Sequence, residues 1–136
     1  MSNNKIYLAS AIITNQNSEL LTVRKKGSKY YMMPGGKIEV NENSFQALKR
    51  ELLEELNFQI SAKDVSFIGS HSTEAINESN TTVTADIFHI QIDYLDFKPN
   101  AEIEEVLWLN KLNYNNYPLA HLIKEFSIPK WLKDQL

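Results

Sequence analysis

Four charged side chains within six positions, Arg50, Glu51, Glu54 and Glu55, carry the strongest chemical signal in this sequence. Residues three and four apart are neighbours on a helix surface, so on a helix the three glutamates crowd one another. Each like-charge pair costs roughly 0.2–0.5 kcal/mol unless something offsets it. Arg50, four before Glu54, is spaced to do so, and no Lys or Arg lies three or four residues after any of the three. A bound divalent cation would turn the repulsion into coordination. Hard carboxylate oxygens suit Mg²⁺, with Mn²⁺ as the alternative. The chain has no cysteine, and His71, His89 and His121 are scattered, so a zinc site is not expected. The plain competing reading is a solvated acidic face on an amphipathic helix.

The residues around this group decide between the two. Gly36, Glu42, Arg50, Glu51, Leu52, Glu54, Glu55 and Phe58 stand at spacings that resemble the Nudix box, with Asn57 where that family has Gly. The resemblance implies an α/β fold, an α/β/α sandwich around a mixed central β-sheet, over a single domain spanning 1–136. It implies metal-dependent hydrolysis of a phosphoanhydride bond in a nucleoside diphosphate linked to another moiety. The expected metal shell has Glu54 and Glu55 as its first-choice ligands, with Glu51 and, through a backbone carbonyl, the Gly35 region. The expected catalytic residues are Glu51, Glu54, Arg50 and Glu102. Which glutamate acts as base stays open, Glu51 being either ligand or base. Arg50 is expected to orient a glutamate by a charge-assisted hydrogen bond. Glu42 would do the same from the loop or approach the metal through water. Glu102, in an acidic stretch before Trp108, is expected as the extra carboxylate from outside the box, with Glu105 its neighbouring competitor and a solvated acidic loop the plain alternative.

Substrate recognition is less sharply written. Arg24, Lys25, Lys26 and Lys29 cluster around Gly27 ahead of the Pro34-Gly35-Gly36 turn, either as a solvated loop or to meet substrate phosphates. The expected substrate-binding residues are Arg24, Lys37, Tyr117 and His121. Tyr30, Tyr31, Phe88 and Tyr117 are the aromatic candidates to stack a base, with core packing as their default role. The leading substrates are a nucleoside triphosphate, oxidised or noncanonical ones included, and a nucleoside diphosphate sugar. The alternative is a catalytically silent nucleotide-binding or sensing module on the same fold. That alternative expects erosion of the glutamates, and none is missing.

The elements that must hold these residues follow from local pattern. Asn43 is suited to cap a helix, with Gln46 three residues on completing a capping box. Phe45, Leu48, Leu52 and Leu56 form its apolar stripe. The helix should end near Leu56, where Asn57 can adopt the left-handed conformation that Gly usually supplies. Ile6 to Thr14 and Leu20 to Val23 read as a hairpin about a polar turn, and Tyr30 to Met33 as a short strand. Val65 to Ser70 reads as a strand followed by a polar loop from His71 to Asn80. Thr82 to Ile92 and Val106 to Leu109 complete the strands. Pro118 suits the first turn of a C-terminal helix carrying Leu119, Leu122, Ile123 and Phe126, with a further turn from Pro129 in which Trp131 packs down.

Composition sets the outer bounds. With 136 residues, 43% hydrophobic and 23% charged, the chain has a soluble globular profile. A chain of this size buries roughly 68–70% of its unfolded surface. A formal charge of −3 argues against tracking a nucleic-acid polymer but not against a small nucleotide, because a metal supplies positive charge locally. No run of 18 apolar residues and no basic-then-apolar leader is present, so a cytoplasmic, membrane-free monomer or homodimer is expected.

Overall fold

Period-two alternation of apolar side chains sorts the strands onto two faces of one mixed sheet. The computed structural model describes residues 4–76 and 78–136. Its strands are β1 (Asn4–Thr14), β2 (Leu20–Lys25), β3 (Tyr31–Met32), β4 (Gly35–Lys37), β5 (Ser66–Glu74), β6 (Thr81–Gln91) and β7 (Ile103–Leu109). They run in the order β3-β2-β1-β6-β5, with β4 beside β1 and β7 beside β2. β1 and β6 pair in parallel along their whole length, from Asn4 opposite Thr81 to Thr14 opposite Gln91. The remaining pairings are antiparallel.

On one face Ala9, Ala11 and Ile13 of β1, Leu21 and Val23 of β2, and Phe88 and Ile90 of β6 meet the helix α1 (Ser44–Leu56) through Leu48, Leu52 and Leu56. On the other, Ile12, Leu20, Ala85 and Ile87 meet Leu119, Ile123, Ile128 and Trp131 near the C-terminus. Helical layers on both faces of a mixed sheet make the α/β/α arrangement. Burying one aliphatic side chain contributes roughly 1.5–3 kcal/mol. The stripe of α1 therefore outweighs the repulsion among its glutamates, and the helix can carry an unfavourable acidic flank.

The ends of α1 are set locally. The Asn43 side chain accepts from the Gln46 N–H at 2.8 Å and the Gln46 side chain accepts from the Asn43 N–H at 2.9 Å. Asn57 closes the helix at φ 53°, ψ 38°, its N–H turned back to the Leu52 and Leu53 carbonyls.

Four elements differ from the sequence pattern. β1 and β2 meet at their turn, where Thr14 pairs with Leu20, and then diverge so that β4 joins β1 and β7 joins β2. The Gly-Gly turn is itself a short strand, Gly35 opposite Ser10 and Gly36 opposite Ala9. Residues 71–74, read as loop, extend β5 along the sheet edge, where polar side chains are tolerated. Pro118 precedes the C-terminal helical segment (121–132) rather than opening it, because Leu119 bridges Tyr31 first. That segment contains a π-turn, Ile123–Ser127, before α2 (Ile128–Leu132). Pro129 has no N–H to donate to Glu125, and the widened turn just before it carries the chain past that missing bond. Trp131 is buried as expected and donates from Nε1 to the Ser18 carbonyl at 3.0 Å. Among the described residues, no helix is long and apolar enough to cross a membrane.

Candidate functional site

Glu51 and Glu55, one helical turn apart, lie along the flank of α1 that faces β4, and both are buried. Their approach to the backbone depends on the two glycines. A Cβ on Gly36 would sit 2.3 Å from the Glu51 carboxyl, and one on Gly35, at φ +141°, would sit 2.1 Å from the Ala9 carbonyl oxygen. The Gly35 N–H donates to Glu55 Oε1 at 3.0 Å. Glu51 Oε2 and Glu55 Oε2 are buried and have no hydrogen-bond partner. Burial pushes the Glu55 carboxyl up to about 8, against the Gly35 N–H, which favours its charge. Burial, followed by the charge of Glu54, raises Glu51 as well.

Arg50 ties this flank to the preceding loop. Its Nε donates to Glu42 Oε2 at 2.8 Å and its Nη2 to Glu42 Oε1 at 3.0 Å, a bidentate pair. Nη2 also donates to the Lys37 carbonyl at 2.9 Å, while Nη1 stands 3.4 Å from Glu51 Oε1 and 3.7 Å from Glu54 Oε1. The guanidinium holds the Glu42 carboxyl down at about 2, helped by the Glu39 N–H. Glu42 in turn raises Arg50 further. Glu42 is thus the carboxylate that Arg50 grips most closely, and Glu54 remains half-exposed beside it.

Orphaned carboxylate oxygens are what a hard cation needs. Burying such atoms unpaired is costly, and coordination would satisfy both. Glu51 and Glu55 therefore fit a divalent metal, with Glu54 on the same helix face. Among the described residues no three acidic or histidine side chains are already gathered into a shell.

A cleft of about 410 Å³ opens beside the carboxylates. Gly35, Gly36, Lys37, Glu51, Lys25 and Glu102 line its acidic end, and Ile6, Leu8, Met32, Val83 and Leu122 are among its apolar walls. Glu102 reaches this cleft, whereas Glu105 accepts from the Tyr31 hydroxyl at 2.7 Å and from Arg24 Nε at 3.2 Å. Arg24 is drawn away from the cleft by that contact and by its Nη1 donating to the Ser28 carbonyl. Tyr117 is not brought to the lining; it packs edge-on against Tyr31, with ring centroids 5.4 Å apart. His121 lines the cleft, and its Nδ1 bonds the Glu74 carbonyl at 2.8 Å. None of Tyr30, Tyr31, Phe88 or Tyr117 lines the cleft, so a base entering it meets aliphatic and methionine walls. Lys25 and Thr73 also line it. Strand alternation singles out Lys25 only once the face of β2 that meets α1 is known. Thr73 needed the extension of β5, for which polar edge residues give no cue.

A NUDIX domain model matches residues 6–126. The chain belongs to the Nudix family. An 8-oxo-dGTP diphosphatase of Escherichia coli (strain K12) is 39% identical over 56 residues, which cover 38% of this Nudix chain and 43% of that protein. The matched stretch thus spans less than half of that relative. The solution structure of the Escherichia coli ORF135 protein superposes with a TM-score of 0.67 at 25% identity, covering 96% of this chain and 88% of that one. The NUDIX domain of Shewanella oneidensis NrtR, solved with ADP ribose, gives 0.75 at 14% identity over 96% and 88%. The Escherichia coli dihydroneopterin triphosphate pyrophosphohydrolase gives 0.72 at 16% over 98% and 97%. At such identities the last two likenesses establish the Nudix fold alone.

Proposed function

We propose that this Nudix chain hydrolyses a phosphoanhydride bond in a nucleoside diphosphate linked to another moiety. The observation that carries the reading is the pair of buried, unpartnered oxygens on Glu51 and Glu55, of which Glu51 lines an open cleft. Two relatives are named for triphosphate substrates and a third was solved with ADP ribose; all three molecules contain a phosphoanhydride. A nucleoside triphosphate, oxidised or noncanonical ones included, is the leading substrate, followed by a nucleoside diphosphate sugar. The preferred cation is Mg²⁺, with Mn²⁺ able to replace it.

When bound, the cation would neutralise phosphate charge and acidify water. Glu51 and Glu55 would hold it, and the Gly35 region and Glu54 would supply the rest of the protein's share of the shell. Gly36 keeps the Glu51 carboxylate against β4. Arg50 ties the Lys37 carbonyl at the end of β4, and Glu42 in the loop that follows, to α1, so the carboxylates keep their relation to the cleft. Glu51, which lines the cleft, serves as a ligand or as the base that takes the proton from the attacking water. Glu54 is the other catalytic carboxylate of the helix, and Glu102 adds negative charge at the same end.

The test measures phosphate and pyrophosphate release from a nucleotide panel with Mg²⁺, with and without chelator, for the wild type, Glu54→Gln and Glu55→Gln. Gln keeps size and one acceptor but removes the charge that attracts the cation. Turnover is expected to vanish with chelator and to fall by orders of magnitude in both variants. Near-normal turnover in both variants would mean that the acidic flank of this Nudix fold does not hold the catalytic cation.

A further inference from the structure

Alternation along β2 decides which member of the basic cluster reaches the acidic end of the cleft. Leu21 and Val23 pack with the stripe of α1. Side chains two apart share a face, so Lys25 continues that row. Arg24 is one residue out of step and falls with Leu20 on the opposite face, where Glu105 and the Ser28 carbonyl take its guanidinium. The register of β2 on β7 shifts between the two, Arg24 standing opposite Glu105 and Lys25 opposite Ile103.

The Lys25 ammonium stands 3.9 Å from Glu102 Oε1, and both residues line the cleft with Glu51, Gly35 and Gly36. Among the described residues, Lys25 and Lys37 are the only Lys or Arg side chains in that lining. Resting on the phosphoanhydride reading above, we infer that Lys25, rather than Arg24, is the cation that grips a non-bridging phosphate oxygen of the substrate. Its partner in the free protein is Glu102. The two side chains are roughly half-exposed and their contact is long, so the pair is weak and an incoming phosphate displaces it at little cost. An ammonium on a flexible stem suits this exchange, because it is a compact point charge with rotatable donors.

The test uses two ligands whose responses have opposite signs. ADP with Mg²⁺ is titrated calorimetrically, and Mn²⁺ alone by paramagnetic resonance, into the wild type, Lys25→Ala, Lys25→Arg, Arg24→Ala and Lys133→Ala. Lys25→Ala should weaken ADP by about tenfold or more, the scale of a hydrogen bond to a charged group. It should also tighten bare Mn²⁺, because a positive charge beside the carboxylates is gone. Lys25→Arg should retain most of the ADP affinity, and Arg24→Ala should lose less than Lys25→Ala. Lys133→Ala, the same charge change on an exposed residue beyond α2, should alter neither ligand. A Lys25 that served only to hold the fold would loosen both ligands together. Wild-type ADP affinity in Lys25→Ala, or a larger loss in Arg24→Ala, overturns the assignment. If the wild type turns over no nucleotide yet Lys25→Ala loses ADP, the hydrolytic reading fails and the Lys25 assignment stands. If the wild type turns over and Lys25→Ala binds ADP unchanged, the reverse holds.

Discussion

Glu55 carries the sharpest consequence at the scale of single residues. Its carboxyl is pushed up to about 8 by burial, well above the ordinary glutamate value of 4.5. Without metal it therefore keeps its proton at neutral pH, where the unfolded chain would be ionised. A group raised in the folded state contributes stability below its unfolded value and loses that contribution as pH rises through the folded one. The metal-free protein should thus lose stability between about pH 4.5 and 8 on account of Glu55, opposite to the usual effect of a paired carboxylate. Melting temperatures at pH 5.5 and 8.5 in chelator test this: the drop should be smaller in Glu55→Gln, which has no proton to lose. Cation binding should also release a proton near neutral pH, seen as a dependence of calorimetric heat on buffer ionisation enthalpy. A metal-binding heat independent of buffer would show that Glu55 is already ionised.

Elements show where local pattern suffices and where it does not. The helix α1 was legible from end to end, because capping box, apolar stripe and left-handed exit are each written within a few neighbouring residues. Two outcomes check that reading. Asn57→Gly should keep activity and change stability little, since both residues accept the left-handed backbone seen there. Leu52→Ala should cost roughly 2–5 kcal/mol by denaturant unfolding, because Leu52 is fully buried, while cation affinity of the folded fraction stays unchanged. The strand β4 was not legible: two glycines have little strand propensity, and their pairing is decided by the β1 backbone opposite. Arg24 and Lys25 could not be separated without knowing which face of β2 meets α1. Residues 71–74 look like loop because a polar edge strand lacks the alternation that marks a half-buried one. The carboxylate constellation was legible because it lies on one helix, whereas the cleft beside it draws walls from six or more separate segments.

The whole molecule divides labour between the two faces of its sheet. One face carries α1 and the carboxylates, and the other carries the segment 121–132, which closes the far wall of the cleft through His121 and Leu122, with Ala120 just before it. That wall is latched to the edge strand β5 by polar contacts. Glu125 Oε1 pairs with His71 Nε2 at 2.8 Å, Thr73 donates to Glu125 Oε2 at 3.1 Å, and His121 bonds the Glu74 carbonyl. The bond to His71, then that to Thr73, holds the Glu125 carboxyl below its usual value. The latch touches no carboxylate of α1, so it should govern how substrate fits and leave the cation alone. Glu125→Ala is expected to raise KM several-fold for the preferred nucleotide with kcat little changed, because Thr73 and His121 lose their fixed relation. Glu125→Gln, which keeps the length and one acceptor, should recover most of the wild-type KM. Mn²⁺ affinity measured without nucleotide should match the wild type in both variants. A fall in kcat with unchanged KM, or a loss of bare Mn²⁺ binding, would mean that the two faces are not separate and that the latch reaches the carboxylates through the sheet.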